Sequence, residues 1–556
     1  MSDQPELVSK ELRHVLHVRA TKSNPDIHVI RETSHYSDGT SVNSTRVLQD
    51  YKRPFYITMP QHRSYKQHKE REKLSKLARH DSTQTDLPKA IATALGKRMT
   101  YGSLRDMCND PYVFGASSTS CALIRKLYNQ KWPVPPTPLK YAAYDLETCV
   151  FDPDGHIIIA SIAMDDVVKI FINQTFVEGI PNPIETIKQM EPALYEKYGY
   201  TTYMENCVTQ YSLHPSEQDV IIALAAAMHE FDPDVVAAWN HDFDVNKLDK
   251  RCAQLHISAA DIFSHPAVPP EARRFRFIEG KREKITANGT FRPLQPSEQW
   301  HNIQATTGFL WLDAMCVYRR LRSQNAFLSS YGIDNIASIH LGVGKMHTDE
   351  TEYMDGLSRH MHMQQNDKLT YCVYAALDVR LMVLLERQTK DITLRLPTEL
   401  AGSDFFDTAS SSQRTVDMFA KACEEDGYIL GTVGSDPDKF PEPVVPLSGW
   451  PLTLPNDLQA QAGANCIAEY PTVTTHIYTC CLSQDVTSAY PTLIRVLNIS
   501  KATTKYEFVR LEGINCLSDV ALLQNLNIFG GSVNAMDYMQ KIYSWPTLSD
   551  IDLFLK

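Results

Sequence analysis

The order of strand and helix patterns between residues 141 and 387 constrains this fold more than any other feature of the sequence. Apolar runs separated by turn residues predict three neighbouring strands that begin an antiparallel sheet: Tyr141–Leu146, Ile157–Ala163 and Val167–Ile172. A helix is predicted from Ser216 to Phe231, and it leads into a buried strand at Val235–Trp239. A long helix is predicted over Lys368–Arg387. This order predicts an α/β core.

The length of the chain and a proline-rich segment within it predict several domains. A chain of 556 residues is too long for one hydrophobic core. The proline-rich segment Pro133–Pro138 is stiff and extended, which suits a domain boundary. We therefore expect an α/β and α+β multidomain protein, divided as follows: an N-terminal domain at 1–135, the α/β core at 136–395, a return to the N-terminal domain or a connector at 396–478, and a last domain at 479–556.

The composition narrows the class of protein. No apolar run is long enough to span a bilayer and the start of the chain lacks a signal-peptide pattern, so we expect no membrane partner and a cytoplasmic location. The twelve cysteines lack metal-ligand spacing, so neither a zinc site nor a disulfide framework is expected. The net charge of −11 by itself argues against nucleic acid. It is a poor guide, however, for an enzyme that carries metal-binding carboxylates, and basic runs such as Arg63–Arg79 are present.

Acidic residues stand at the places where an α/β sheet can bring them together. Asp145 and Glu147 are two residues apart on a predicted strand, so both side chains lie on one face. Two like charges so close are unfavourable unless a cation lies between them. An Asp-x-Glu pair alone is common, however. The alternative to a metal site is an exposed strand end whose two acids are solvated.

Two further segments strengthen the metal-site interpretation. Asn240, Asp242 and Asp244 follow the predicted strand that ends at Trp239, at the edge where α/β proteins place their chemistry. Tyr374 and Asp378 are four residues apart on the long helix, so they share one helix face. Apolar neighbours predict that Asp378 is buried, and a buried acid needs a partner or a metal ion.

These acids, in this order, resemble the three exonuclease motifs of the proofreading domain of family B DNA polymerases, in the variant with a tyrosine four residues before the last aspartate. Other segments are similar to the same family, namely Leu312–Arg320, Ser330–Ala337, Leu341–Lys345 and a β-hairpin at Arg274–Gly289. The second motif usually has three residues between Asn and Phe-Asp and here has two, so its context favours Asp244 over Asp242. The resemblance implies a ribonuclease-H-like 3′→5′ exonuclease domain at 136–395.

The resemblance also implies a role for each residue. Two divalent ions, Mg²⁺ or Mn²⁺, are expected in each active site. The ion that activates water is expected to be bound by three carboxylates: Asp145, Glu147 and Asp378. The ion at the leaving 3′ oxygen is expected to be bound by Asp145 and Asp244. Tyr374 is expected to orient the attacking water, and Asn240 is expected to be a supporting residue.

A later segment, Asp485–Arg495, resembles motif A of the polymerase palm, most closely that of large tailed bacteriophages. The resemblance implies that Asp485 binds the metal ions of DNA synthesis. The backbone N–H groups of Ser488 and Ala489 would hold the triphosphate of a deoxynucleotide, and Tyr490 would stack under its sugar. Ala489 stands where the family usually has leucine.

The other polymerase motifs of the family, in the fingers and in the rest of the palm, do not follow Tyr490. We therefore expect one subunit of a split viral polymerase that acts on primer-template DNA in the cytoplasm of an infected bacterial host. A second polypeptide would supply the fingers, the remaining palm and the thumb, and residues 479–556 would be a partial palm. Two alternatives remain open: a stand-alone 3′→5′ exonuclease with a vestigial palm, and a non-catalytic DNA-binding scaffold.

Overall fold

A computed structural model describes most of the chain up to residue 432. The described residues are 5–432 without 67, 99–103, 134–136, 286–289, 324–326, 350–353 and 396–410, together with 466–467, 470–474, 526–528 and 531–533. The chain divides into two compact units, Met1–Ser435 and Asp436–Lys556. Sheets and helices occur together in the first unit, so the protein belongs to the mixed α/β class and has more than one domain, as predicted.

The described strands are numbered in chain order: β1 (Leu7–Val18), β2 (Ile27–Tyr36), β3 (Ser41–Gln49), β4 (Arg53–Thr58), β5 (Arg71–Lys73), β6 (Leu77–Ser82), β7 (Val113–Phe114), β8 (Tyr141–Thr148), β9 (Ile157–Met164), β10 (Val167–Asn173), β11 (Val208–His214), β12 (Val235–Ala238), β13 (Phe275–Ile278), β14 (Glu283–Ile285), β15 (Phe291–Pro293), β16 (Asn302–Ala305), β17 (Leu310–Asp313), β18 (Tyr428–Leu430), β19 (Cys466–Ile467), β20 (Tyr470–Thr474), β21 (Leu526–Ile528) and β22 (Gly531–Val533).

The described α-helices are α1 (Leu87–Ala94), α2 (Leu104–Met107), α3 (Ser120–Lys131), α4 (Pro183–Lys197), α5 (Thr201–Met204), α6 (Glu217–Phe231), α7 (His241–Gln254), α8 (Ala259–Phe263), α9 (Pro296–Gln299), α10 (Ala314–Leu321), α11 (Ile333–Leu341), α12 (Gly356–Asn366), α13 (Lys368–Thr389) and α14 (Ser411–Glu425). Short 3₁₀ turns lie at Pro60–His62, Leu74–Lys76 and Pro270–Ala272, and a π-helical turn lies at Asp391–Arg395. Among these described helices, none is long and apolar enough to cross a membrane.

The central sheet of the first unit has the strand order β11-β10-β9-β8-β12-β17. Strands β8, β9 and β10 run antiparallel, whereas β12 and β17 run parallel to β8. This confirms the predicted antiparallel start. The predicted helix over 216–231 is α6, whose Ser216 hydroxyl caps the helix by accepting from the Asp219 N–H at 3.3 Å.

Two apolar layers cover the two faces of this sheet, and strand alternation decides which side chain enters which layer. Ala142 and Leu146 of β8 pack with α6 on one face. Tyr141 and Ala143 pack with α13 on the other face. Since side chains alternate along a strand, Asp145 and Glu147 continue the row that faces α13. Helix α13 is apolar on nearly all sides and is buried between the sheet and its neighbouring helices, which explains its weak amphipathic pattern.

The N-terminal part of the first unit contains two smaller sheets, β1-β2-β3 and β6-β4-β7. Strand β18, which follows α14, pairs with β5 and returns the chain to this part. Strand β3 ends before Asp50, which adopts a left-handed backbone with φ of 47°, and β4 begins at Arg53.

The hairpin predicted at Arg274–Gly289 lies further along the chain. Strand β13 pairs with β16 instead, since its residues Phe275 and Phe277 pack against the apolar layer around α6. The hairpin is formed by β14 and β15, which pair from Glu283 to Pro293. In the second unit, β19 pairs with β20 and β21 pairs with β22, both antiparallel.

Candidate active site at the edge of the central sheet

Three carboxylates meet where β8 passes α13. The oxygens of Asp145, Glu147 and Asp378 lie within 4.8 Å of one another. The two strand acids face α13 because of the alternation along β8, and the middle of α13 presents Asp378 to them. Glu147 and Asp378 are buried, and Asp145 is partly exposed. This grouping was predicted from the sequence.

Helix α7 brings a fourth acid to the same place. Asn240 caps α7, and its side chain accepts from the Asp242 N–H at 3.1 Å. One turn into the helix, Asp244 is buried and accepts from the Leu146 N–H of β8 at 3.3 Å. Asp242 instead points to the surface, where Arg282 binds its carboxylate at 3.1 Å. The structure therefore joins Asp244, and not Asp242, to the acidic centre formed by Asp145, Glu147, Asp244 and Asp378.

Burial and mutual repulsion make the ionised acids unfavourable. The pKa of Glu147 is raised to about 8, by burial first and then by the carboxylate of Asp378. Burial and the charge of Glu147 raise the pKa of Asp145 well above its ordinary value. Burial and Asp145 do the same to the pKa of Asp244. Such a cluster stays ionised at neutral pH only when cationic charge lies close to it.

The ammonium group of Lys345 reaches the acidic centre. The Lys345 ammonium lies 2.5 Å from Asp378 Oδ2 and donates to the Tyr374 hydroxyl at 3.0 Å. Burial disfavours the ammonium, yet the charge of Asp378 and its neighbours raises the pKa of Lys345 well above its ordinary range. In the sequence analysis, Lys345 is only the last residue of the Leu341–Lys345 segment, and no role was predicted for it.

The loop after α11 fixes the position of this lysine. The backbone N–H of Lys345 donates to Asp334 Oδ1 at 2.7 Å. A Cβ at Gly344 would stand 2.1 Å from the same carboxylate oxygen, so only glycine lets the loop approach α11 this closely. The loop thereby places Lys345 beside α13.

Aromatic and polar residues of α12 and α13 surround Glu147. The Tyr371 hydroxyl donates to Glu147 Oε2 and also contacts His360 Nδ1 at 2.7 Å. Gln364 donates to the Tyr371 hydroxyl at 3.2 Å. The ring of Tyr374 stacks on that of Tyr371 with centroids 5.7 Å apart. The sequence interpretation missed Tyr371 and His360, because neither belongs to a motif that it used.

Asp313 is a positioning residue, and it lies in the segment Leu312–Arg320 for which the sequence showed a resemblance but no role for this acid. It lies at the end of β17, is fully buried, and caps α10 by accepting from the Cys316 N–H at 2.8 Å. Its other oxygen accepts from the His241 N–H at 3.0 Å, at the first residue of α7. Burial raises the pKa of Asp313 to about 6. Asp313 thus ties the start of the helix that carries Asp244 to the edge of the sheet.

The acidic centre fits hard divalent cations. Its donors are carboxylate oxygens, which suit Mg²⁺ and Mn²⁺. Among the described residues, Asp378 Oδ1 is buried without a hydrogen-bond partner, so one acceptor of the cluster remains available to a cation. Asp145, Glu147 and Asp378 are the residues that would hold one ion, and Asp145 with Asp244 are placed to share a second.

The residues predicted for DNA synthesis lie outside the described part of the chain. These are Asp485, Ser488, Ala489 and Tyr490. The prediction for motif A therefore depends on the sequence alone.

Comparison with protein-family models gives no match to this chain, and comparison with curated proteins gives none either.

Proposed function

We propose that the first unit of this chain is a divalent-metal-dependent nuclease that removes nucleotides from the 3′ ends of single-stranded DNA. One observation carries the proposal. Four acids from β8, α7 and α13 converge in a buried cluster that also holds a tyrosine hydroxyl and a lysine ammonium. A structural role does not explain such a cluster, because clustering acids away from water costs free energy unless cations compensate it.

The arrangement of the sheet supports the same proposal. Three antiparallel strands are followed by two parallel strands and then by the long helix α13. The three antiparallel strands, the strand β12 and the long helix were predicted from the sequence, where their order resembles that of a ribonuclease-H-like exonuclease domain. The 3′→5′ direction of cleavage rests on that resemblance.

Hydrolysis of a phosphodiester needs a positioned water and neutralisation of the phosphate charge. Bound divalent ions would supply polarisation of the phosphate oxygens and a lower pKa for the attacking water. The Tyr374 hydroxyl is held by Lys345, so it is placed to orient a water molecule beside Asp378. The Lys345 ammonium is also placed to stabilise negative charge that develops on the scissile phosphate.

An exposed aromatic side chain next to the acids suits a single strand. Phe243 is 51% exposed, although it directly precedes the buried Asp244. Unstacked bases gain free energy by stacking on aromatic rings without regard to sequence, and duplex bases cannot do so. Phe243 therefore offers an exposed base-stacking surface on the helix that carries Asp244.

The direct test is digestion of an end-labelled single strand by the purified chain. We expect Mg²⁺ or Mn²⁺ to support stepwise shortening from the 3′ end, and chelation to stop it. Asp145→Ala with Glu147→Ala should remove the activity, because two metal ligands are lost together. Asp154→Ala is the matched control, since it removes an exposed acid beyond the end of the same strand. Robust digestion by the double variant would refute the assignment.

The proposal extends to DNA synthesis only through Asp485 and its neighbours. We propose that, together with a second polypeptide supplying fingers, remaining palm and thumb, the chain extends a primer in the presence of deoxynucleoside triphosphates. In that complex, Asp485→Ala should eliminate extension and leave digestion of single strands intact. A complex that still polymerises after loss of Asp485 contradicts this part of the proposal and leaves the nuclease part standing.

A further inference from the structure

A second group of metal-ligand side chains lies in the N-terminal sheet, remote in sequence from the acidic centre. His17 of β1 and His28 of β2 stand directly opposite each other across the antiparallel pair, with ring centroids 4.9 Å apart. Asp26 precedes β2, and its Oδ2 lies 3.0 Å from His17 Nε2. One ligand atom from each of the three residues lies within 4.8 Å of the other two.

Two buried atoms of this group face each other without a hydrogen bond. Asp26 is 1% exposed and His28 is fully buried. Asp26 Oδ1 and His28 Nδ1 are 3.9 Å apart, too far for a hydrogen bond, and neither has another partner among the described residues. Buried polar atoms are normally paired, so two orphaned atoms aimed at one point indicate a missing partner.

The spacing of these atoms suits a shared cation. Two ligands bound to zinc at about 2.0–2.1 Å with tetrahedral geometry stand roughly 3.4 Å apart. The observed separations are 3.0 Å from Asp26 Oδ2 to His17 Nε2 and 3.9 Å from Asp26 Oδ1 to His28 Nδ1, and they lie on either side of this value. The His17 side chain is 15% exposed, which gives the ion a route from solvent.

Second contacts hold the ligands in the orientation that metal binding requires. The outer nitrogen of His28, Nε2, contacts the buried Ser120 hydroxyl at 2.7 Å. Donation from Nε2–H to this hydroxyl leaves Nδ1 unprotonated and free to bind, which is the arrangement that outer contacts of metal-binding histidines usually favour. Asp26 Oδ2 accepts from the Thr85 N–H at 2.9 Å, so the carboxylate is also oriented from outside the group.

We propose that His17, Asp26 and His28 form a binding site for a divalent first-row transition-metal ion, with Zn²⁺ as its best-suited occupant. Two imidazoles and one carboxylate match zinc and its neighbours rather than Mg²⁺, which takes oxygen donors and water. The ion would join β1, the start of β2, and, through Ser120, the first turn of α3. The site does not depend on the proposed nuclease function.

The test is Zn²⁺ binding by the full chain after chelation, with excess Mg²⁺ present throughout. We expect wild type to bind Zn²⁺, to melt at a higher temperature with it, and to give the visible absorption bands of a low-symmetry site when Co²⁺ replaces Zn²⁺. His17→Gln should lower the Zn²⁺ affinity by on the order of 100-fold, because a direct ligand is lost. Ser120→Ala should lower it roughly 10-fold with all three ligands retained.

Two controls keep the result specific. His35→Gln removes a histidine from the same strand β2 but outside the group, and it should bind Zn²⁺ like wild type. Asp145→Ala with Glu147→Ala disables the acidic centre and should also bind Zn²⁺ like wild type. Far-ultraviolet circular dichroism checks that His17→Gln is folded. Equal Zn²⁺ affinity for wild type and folded His17→Gln overturns the site, and so does Zn²⁺ binding that disappears only in the acidic-centre variant.

Discussion

The acidic centre of the central sheet and the His17–Asp26–His28 group of the N-terminal sheet offer different donors to a cation. The acidic centre consists of carboxylates, and the Lys345 ammonium balances part of its charge. The histidine group has a single carboxylate, and it keeps two buried atoms that have no hydrogen-bond partner among the described residues. Oxygen donors favour Mg²⁺ and Mn²⁺, whereas imidazole favours zinc and its neighbours.

The difference teaches that proximity of ligands does not by itself define a cation site. The chemistry of the donors selects the ion. The local charge decides how the site behaves without an ion, since a cluster of acids repels itself and a mixed group does not. Each of the following predictions separates the two sites by changing one of them and measuring both.

The largest effect is expected from the fourth acid. Asp244→Asn should slow digestion of single-stranded DNA by on the order of 10³-fold, because a buried charge beside the reacting phosphate is lost. Asp242→Asn should change the rate little, because Asp242 pairs with Arg282 at the surface. Single-turnover rates of both variants check this, and Zn²⁺ binding should be unchanged in both. An equal loss of cleavage rate in the two variants would contradict the assignment of Asp244, and not Asp242, to the acidic centre.

Tyr374 should matter less than a metal ligand. Its hydroxyl orients water, so Tyr374→Phe should slow cleavage by roughly 10- to 1,000-fold without abolishing it. The ring still stacks on Tyr371, so stability should hold. Tyr203→Phe is a matched control, since its hydroxyl bonds the Leu341 carbonyl outside the acidic centre. Unchanged kinetics in Tyr374→Phe would show that this residue only packs.

Lys345 is expected to govern the stability of the acidic centre rather than the histidine group. Lys345→Met removes the ammonium from a largely buried pair with Asp378, whose side chain is 4% exposed. Without divalent ions, the free energy of unfolding should fall by about 2–4 kcal/mol. Added Mg²⁺ should restore more stability to the variant than to wild type, and Zn²⁺ affinity should not change. Urea titrations with and without Mg²⁺ measure this, and equal Mg²⁺ responses would contradict it.

The smallest effect is expected from two buried histidines, one in each part of the molecule, which should make folding sensitive to acid. Burial, with help from Arg125 and Arg31, lowers the pKa of His14 in β1 to about 3. Burial lowers that of His241 in α7 to about 3 as well. Both folded pKa values lie below that of the unfolded chain, so the unfolded state takes up more protons below pH 6.5. The stability that these two histidines contribute is therefore present above about pH 6.5 and declines as the pH falls toward 3.

Each of these histidines should contribute a loss of up to about 1.4 kcal/mol per pH unit in that range. Urea titrations at pH 7 and pH 5.5 measure the loss. His14→Gln and His241→Gln should each reduce the pH dependence by a similar amount. If only one of the two variants reduces the pH dependence, the N-terminal sheet and the central sheet differ in their sensitivity to acid.

Local spacing in the sequence was enough to predict much of the core and of the acidic centre. The strands from residues 141, 157 and 167 begin where they were predicted, because their apolar runs and turns are local signals. Asp145 and Glu147 share a face by strand alternation. Tyr374 and Asp378 share a face by helical spacing. In each pair, the geometry is set by a few neighbouring residues.

Contacts between distant segments could not be predicted in this way. The sequence favoured Asp244 over Asp242 only by its resemblance to a motif, and the physical basis of that choice is the orientation of α7, which Asn240 and Asp313 fix. Lys345 reaches Asp378 across 33 residues of chain. The hairpin was misplaced because the apolar Phe275 and Phe277 carry β13 into the core, and only packing decides that.

The sequence by itself determined the secondary elements and the residue types that can bind cations, because periodicity and chemistry are local properties of the chain. The tertiary structure decided which of those residues meet. It brought four acids and one lysine together where β8 passes α13 and α7, and it set His17 opposite His28 through the register of β1 and β2. The physical reason is that register and helix packing are fixed by burial of the whole apolar surface, to which every segment contributes.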